Sequence, residues 1–375
     1  MKPIYLDYNA TTPIDPRVAE AMLPYLMEHF GNPSSSHAYG RRTRKAVDHA
    51  RRQTAELLGS AAREIVFTSG GSESNNLAIK GVAEAYREKG RHILTSAVEH
   101  PAVTEVCRHL ESLGWRVDYL PVDSTGMLDP ATVEKALRNE TTLVTVMHAN
   151  NEVGTIQPIT DIAALVHARG ALMHTDAAQS IGKIPVRGNE LGVDLLSMAG
   201  HKLYAPKGVG ALYIREGIRL TKQTHGADHE SNLRAGTENV LEIVGLGEAC
   251  EIAGSEIENT PAKLSALRDR LETGLRARFP DLVVNGNLGN RLPNTASVSF
   301  PGAEASTLLA GLDGVAASAG AACHADGVSV SAVLTAMRVP LEVAKGTLRL
   351  SVGRFTTEDE VDRAVDLLIQ AVKPA

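Results

Sequence analysis

Cysteine, aromatic residues and long apolar runs are all scarce in this chain. Only three cysteines, Cys107, Cys250 and Cys323, occur in 375 residues. They are too few and too scattered for a disulfide framework, and no C-x-x-C pair or zinc-ligand spacing is present. A reducing compartment is the natural reading. No stretch approaches the ~18 consecutive apolar residues of a membrane span. The start, Lys2-Pro3-Ile4-Tyr5-Leu6-Asp7, meets an acid too soon for a secretory signal. An excess of positive charge is also missing: Lys plus Arg is 38 against 44 Asp plus Glu, a net charge of −6. That balance argues against a nucleic-acid binder held by phosphate neutralisation. A cytoplasmic, soluble, globular protein without membrane or nucleic-acid partners is expected. No internal repeat and no low-complexity linker interrupts the chain, so any two domains should pack closely.

What is present is alternation. Short β-branched or apolar runs at 64–68, 92–95, 115–120, 143–147, 172–175, 193–196 and 210–214 read as seven strands. Helical stretches separate several of them, for example 159–169. The run at 143–147 is continuously apolar, as expected of a strand covered on both faces. Strand and helix alternating in this way imply an α/β fold, with a mostly parallel sheet flanked by helices. The pattern changes near residue 260. Thr260 reads as an N-cap with Pro261 in the first helical position. Leu264, Leu267, Leu271 and Leu275 then share one helical face. Short strands at 282–284 and 296–300 follow, and Thr357 with Glu360 forms a capping box at the last helix. The change of pattern predicts a second, smaller α/β domain over 260–375; the domain bounds expected are 12–259 for the large domain and 1–11 with 260–375 for the small one.

Three features carry chemistry. Lys202 sits at a strand end, in Ala199-Gly200-His201-Lys202. Asp176 ends an apolar run, where ligands of open α/β sheets bind. Gly70-Gly71-Ser72 joins a strand to a helix N-terminus, whose free N–H groups suit a phosphate. Each has an ordinary reading alone: a solvated lysine, a helix N-cap, a simple chain turn. Together they match what pyridoxal 5'-phosphate needs. Its phosphate takes N–H donors, its pyridine nitrogen takes a carboxylate, and its aldehyde takes a lysine. No metal site is indicated.

The chain also resembles a known family across essentially its whole length. The markers are Tyr5 to Pro13, Gly31-Asn32-Pro33-Ser34-Ser35, Thr68 to Asn76, Val98-Glu99-His100, Met147 to Gly154, Asp176-Ala177-Ala178-Gln179, Gly200-His201-Lys202, Arg234 to Asn239 and Leu348 to Arg354. In that order they resemble the NifS/IscS-type cysteine desulfurases and the related selenocysteine lyases, within the class V aminotransferase group. The resemblance implies a pyridoxal-phosphate-dependent transferase of fold type I. Lys202 would hold the cofactor and move protons on the substrate carbon, and Asp176 would pair with the ring nitrogen. His100 would stack on the ring and take part in proton transfer. Gln179 and Asn151 would contact the ring oxygen and the substrate side. Gly71, Ser72 and His201 would hold the phosphate. Thr237 would reach the phosphate of a neighbouring subunit, which implies a homodimer with shared sites. Arg349 would clamp the substrate carboxylate, a geometry arginine suits well.

Cys323 lies among small residues, in Gly320-Ala321-Ala322-Cys323-His324, a segment that reads as a mobile loop. A neighbouring imidazolium raises the thiolate fraction of such a cysteine. The matching family cysteine takes sulfur from the substrate as a persulfide. Cys107 and Cys250 fall in helical contexts and read as structural. Two departures concern the chalcogen. Ala199 stands where most of these desulfurases carry serine, and the Gly320 to His324 run is similar to the selenocysteine lyases. A third, Gly226-Ala227-Asp228-His229-Glu230, replaces a glycine-rich loop. The expected function is conversion of L-cysteine to L-alanine, with sulfur passing through Cys323 to an acceptor protein for iron–sulfur or thio-cofactor synthesis. The alternatives are a selenocysteine lyase acting on L-selenocysteine, other class V chemistry such as transamination, and a non-catalytic scaffold for sulfur-transfer partners.

Overall fold

A computed structural model of the chain describes residues 2–324 and 327–372, with backbone only at 321–324 and 327–329. Seven strands form the central sheet. Their spatial order is Ile65–Thr68, Gly210–Ile214, Leu195–Ala199, Leu172–Asp176, Thr141–Thr145, His92–Ser96 and Arg116–Leu120. Gly210–Ile214 runs antiparallel to both neighbours, and the remaining pairs are parallel. The α/β class and the seven strands expected from the sequence are therefore present. Boundaries move by a residue or two. The run at 143–147 becomes the strand Thr141–Thr145. Val146 and Met147 stay buried beyond it, and Met147 N–H donates to the Glu99 carboxylate instead of to a ladder partner. Val146 N–H still donates to His174 C=O at 3.1 Å, so the pairing ends here on one side of the strand only.

Successive strand residues feed opposite cores, as a period of two demands. Ile93, Leu143, Leu195 and Leu212 pack against the helices Gly71–Ala85 and Pro101–Ser112. Leu94, Val144, Leu196 and Ala211 face the other side, with the helices Ile159–Ala168 and Val240–Glu256. Cys107 and Cys250 are both fully buried, and burial pushes each thiol up to about 12. Among the described residues no helix is long and apolar enough to cross a membrane.

A third core gathers Ile4 and Leu6 from the start of the chain with residues of 264–372. Its antiparallel sheet runs Ser318–Ala319, Thr347–Ser351, Thr295–Ser299, Val283–Asn285. Leu264, Leu267, Leu271 and Leu275 are buried on one face of the helix Thr260–Arg278, and the Thr357/Glu360 capping box forms. The expected cap at Thr260 does not. Asn259 precedes that helix, and the Thr260 hydroxyl donates back to Glu256 C=O at 2.9 Å. The preceding helix ends so close to this one that the hydroxyl finds a carbonyl behind it before any N–H ahead.

Candidate active site

The parallel strands end at one edge, and the chain turns there carry the predicted residues. Asp176 closes its strand, and Lys202 ends a one-turn 3₁₀ segment that follows Leu195–Ala199. Gly70, at φ 144°, turns the chain from Ile65–Thr68 into the helix Gly71–Ala85. That φ lies outside what side chains tolerate, which accounts for glycine there. His100 caps the next helix, its Nδ1 accepting from Ala102 N–H at 3.1 Å. These turns enclose a cleft of about 390 Å³. Gly71, Ser72, His100, Asn151 and Asp176 line it, together with Gln179, His201, Lys202 and Arg349.

Lys202 Nζ donates to the carbonyls of Asn9 at 2.5 Å and Ala10 at 2.7 Å. Burial, then the positive charge of Arg349, brings its amine down to about 8 from the usual 10.5, against the opposing pull of Asp176 and Asp7. Asp176 accepts from Asn75 Nδ2 at 2.7 Å and from Ala178 N–H at 2.9 Å. Those two donors fix the carboxylate at the cleft wall. Burial depresses His100, with Asp176 opposing and Lys202 assisting. His201 falls to about 4, through burial and then Lys202 and Lys207, so it enters the cleft as a neutral ring. Glu99 is fully buried, takes Ser96 Oγ at 2.5 Å, and rises to about 8, chiefly through burial.

Arg349 enters from the strand Thr347–Ser351 of the antiparallel sheet. Its Nη2 donates to Asp7 at 2.8 Å and to Ser318 Oγ at 2.9 Å, and its Nη1 to Asn151 C=O at 3.3 Å. Its Nε is buried without a partner among the described residues, as is Oδ1 of Asn75. Thr237 is exposed and lines no part of this cleft. The backbone around Cys323, within the segment read from sequence as a mobile loop, pairs as a hairpin, 321–324 against 327–330; its side chain lies outside the described residues. Sequence reasoning passed over Asn9, Ala10 and Asn75, which hold Lys202 and Asp176. All three lie inside motifs already singled out, but their roles depend on contacts about 100 residues or more away in sequence.

The arrangement fits pyridoxal phosphate. The helix Gly71–Ala85 has no side-chain cap, so its first N–H groups are available to a phosphate. The amine, the oriented carboxylate and the imidazole of His100 share one cleft with that terminus. The guanidinium of Arg349 lines the same cleft.

The fold and site define a class V aminotransferase. That family's profile matches residues 4–364, and the chain belongs to it, with pyridoxal phosphate as its cofactor. Among curated relatives, a cysteine desulfurase IscS of Dictyoglomus turgidum is 48% identical over 99% of this chain and 94% of its own. The IscS of Klebsiella pneumoniae is also 48% identical, over 99% of this chain and 93% of its own. Among solved structures, a NifS-like protein superposes with TM-score 0.93 at 39% identity, covering 98% of this chain and 99% of the other. SspA in complex with cysteine gives 0.83 at 37%, covering 94% and 99%.

Proposed function

We propose that this chain is a cysteine desulfurase, converting L-cysteine to L-alanine with transfer of the sulfur. The observation that carries the reading is one cleft holding a depressed lysine amine, a fixed carboxylate, an uncapped helix N-terminus and the guanidinium of Arg349. Relatives named as cysteine desulfurases, and a similar structure in complex with cysteine, support it.

Each residue then has a task. Gly71 and Ser72 N–H groups, with His201, hold the phosphate. Asp176 faces the ring nitrogen, His100 the ring, and Gln179 and Asn151 its oxygen and substrate side. Pyridoxal phosphate, when bound, supplies an electron sink for the substrate carbon. Arg349 binds the substrate carboxylate. Lys202, partly neutral near pH 8, removes the α-proton. The Cys323 thiolate forms an S–S bond to the substrate sulfur while the C–S bond breaks. The bonding pair stays with carbon, which gains a proton from Lys202 or His100. Cysteine plus thiol thus become alanine plus persulfide, with no outside oxidant. The sulfur next passes to an acceptor protein.

The reading extends to a homodimer. Thr237 is exposed and lines no part of its own cleft, and Leu23, Leu26, Met27, Phe30 and Tyr39 form exposed apolar surface. A reducing cytoplasm is the compartment that keeps a Cys323 thiol available.

The test is alanine release from L-cysteine and L-selenocysteine, side by side. Native protein should turn over cysteine. Cys323→Ala should lose that activity, and Lys202→Ala should lose both. Turnover of selenocysteine alone, retained in Cys323→Ala, would instead assign a selenocysteine lyase.

A further inference from the structure

Lys183 is a buried lysine, 7% exposed, that the chemistry above does not use. Its amine bonds to two neutral oxygens, Asn9 Oδ1 at 3.0 Å and Gln179 Oε1 at 2.9 Å, and to no carboxylate among the described residues. Burial, then the positive charges of Lys202 and Arg349, holds it well below the ordinary lysine range. An amine kept in such surroundings is costly unless its hydrogen bonds serve the fold or the site.

Both partners touch the cleft. After Asp176 the chain makes a helical turn, with Ile181 N–H on Ala177 C=O and Ile184 N–H on Ser180 C=O. Gln179 and Lys183 therefore stand one above the other. Because Lys183 donates to Oε1, the Gln179 amide must present its Nε2 the other way, where it donates to Asn9 C=O at 3.0 Å. Lys202 Nζ binds the same carbonyl. Asn9 is itself saturated. Its N–H donates to Ser351 Oγ, and its amide donates to Asn151 C=O and Thr295 Oγ1. Its Oδ1 accepts from Asn294 as well as Lys183. The residue thus ties the cleft to the small domain.

We propose that Lys183 is a positioning residue of this site, which locks the Gln179 amide with its N–H group on the Lys202 side and holds Asn9 so that its carbonyl keeps Lys202 in place. The inference rests on the pyridoxal phosphate reading of the cleft. Removing the amine leaves two buried oxygens without their donor and frees the amide to turn over.

The test is a double-mutant cycle read by the dissociation constant of pyridoxal phosphate, from absorbance of the full-length protein. The variants are Lys183→Met, Gln179→Leu and both together, each also melted without cofactor. Lys183→Met should weaken binding about tenfold and shift the bound absorbance band. The double variant should lose at least about threefold less than the product of the single losses. Lys183→Gln, which keeps a donor, should recover most of the binding, and Lys183→Leu takes the place of Lys183→Met if that variant fails to fold. The proposal is overturned by multiplicative losses, by binding within about twofold of native in Lys183→Met, or by a Lys183→Gln variant as weak as a donor-free one. Failure of the native protein to bind pyridoxal phosphate in the same assay would sink the reading of the cleft itself.

Discussion

The Lys202 amine must be neutral to capture the cofactor aldehyde, so capture by the apoprotein should carry this amine's titration. With its midpoint at about 8, about 10% of the side chain is neutral at pH 7. An ordinary lysine at 10.5 would be about 0.03% neutral, so the cleft gains about 300-fold in reactive amine. Burial is the main cause and the Arg349 charge the next. Arg349→Gln removes that charge and leaves Asp7, which raises Lys202, without its guanidinium partner at 2.8 Å. Both changes act in one direction, so the midpoint should rise and capture at pH 7 should slow about 3–10-fold. Stopped-flow absorbance after mixing apoprotein with pyridoxal phosphate, from about pH 6 to about pH 10, measures this. The cofactor's own titration is common to both proteins and cancels in the comparison. Coincident midpoints, or a native midpoint at the ordinary lysine value, would refute the reasoning.

Three further outcomes are expected. Asn75→Ala deletes the 2.7 Å donor to Asp176, and steady-state alanine release should fall about tenfold in kcat with KM little changed. Gly210→Ala would set a Cβ 2.6 Å from Met198 C=O and 2.7 Å from Gly70 Cα; thermal unfolding should show about 2 kcal/mol of destabilisation. Asp15 is held at about 2, below its usual 3.8, by Arg17 first and also by Arg354. A depressed carboxylate stabilises the fold above its unfolded value and loses that contribution as pH falls through the folded one. Denaturant melts of native and Asp15→Asn protein should differ by a constant amount down to about pH 4 and converge near pH 2.

The legible parts of this protein are those that depend on near neighbours in the chain. Short β-branched or apolar runs and the glycine turn at 70–71 are local, and from them the seven strands and the helix N-terminus at Gly71 were legible. Leu264, Leu267, Leu271 and Leu275 declared their helix face by spacing alone. The Thr260 cap failed because a carbonyl from the previous helix intervened, which spacing within one helix does not reveal. Lys202 and Asp176 stood out in sequence by residue type and strand-end position. What binds them did not: Asn9 and Ala10 are almost two hundred residues from Lys202, and Asn75 is 101 from Asp176.

By itself, then, the sequence determined the α/β class and the pyridoxal phosphate cofactor, because side-chain type and local pattern follow from covalent order. Only the tertiary structure decided that Lys202 is depressed, that Asp7 neutralises Arg349, and that a buried Lys183 stands behind Gln179. Those properties are set by burial and by charges brought within a few ångströms across the fold, and chain order does not carry them.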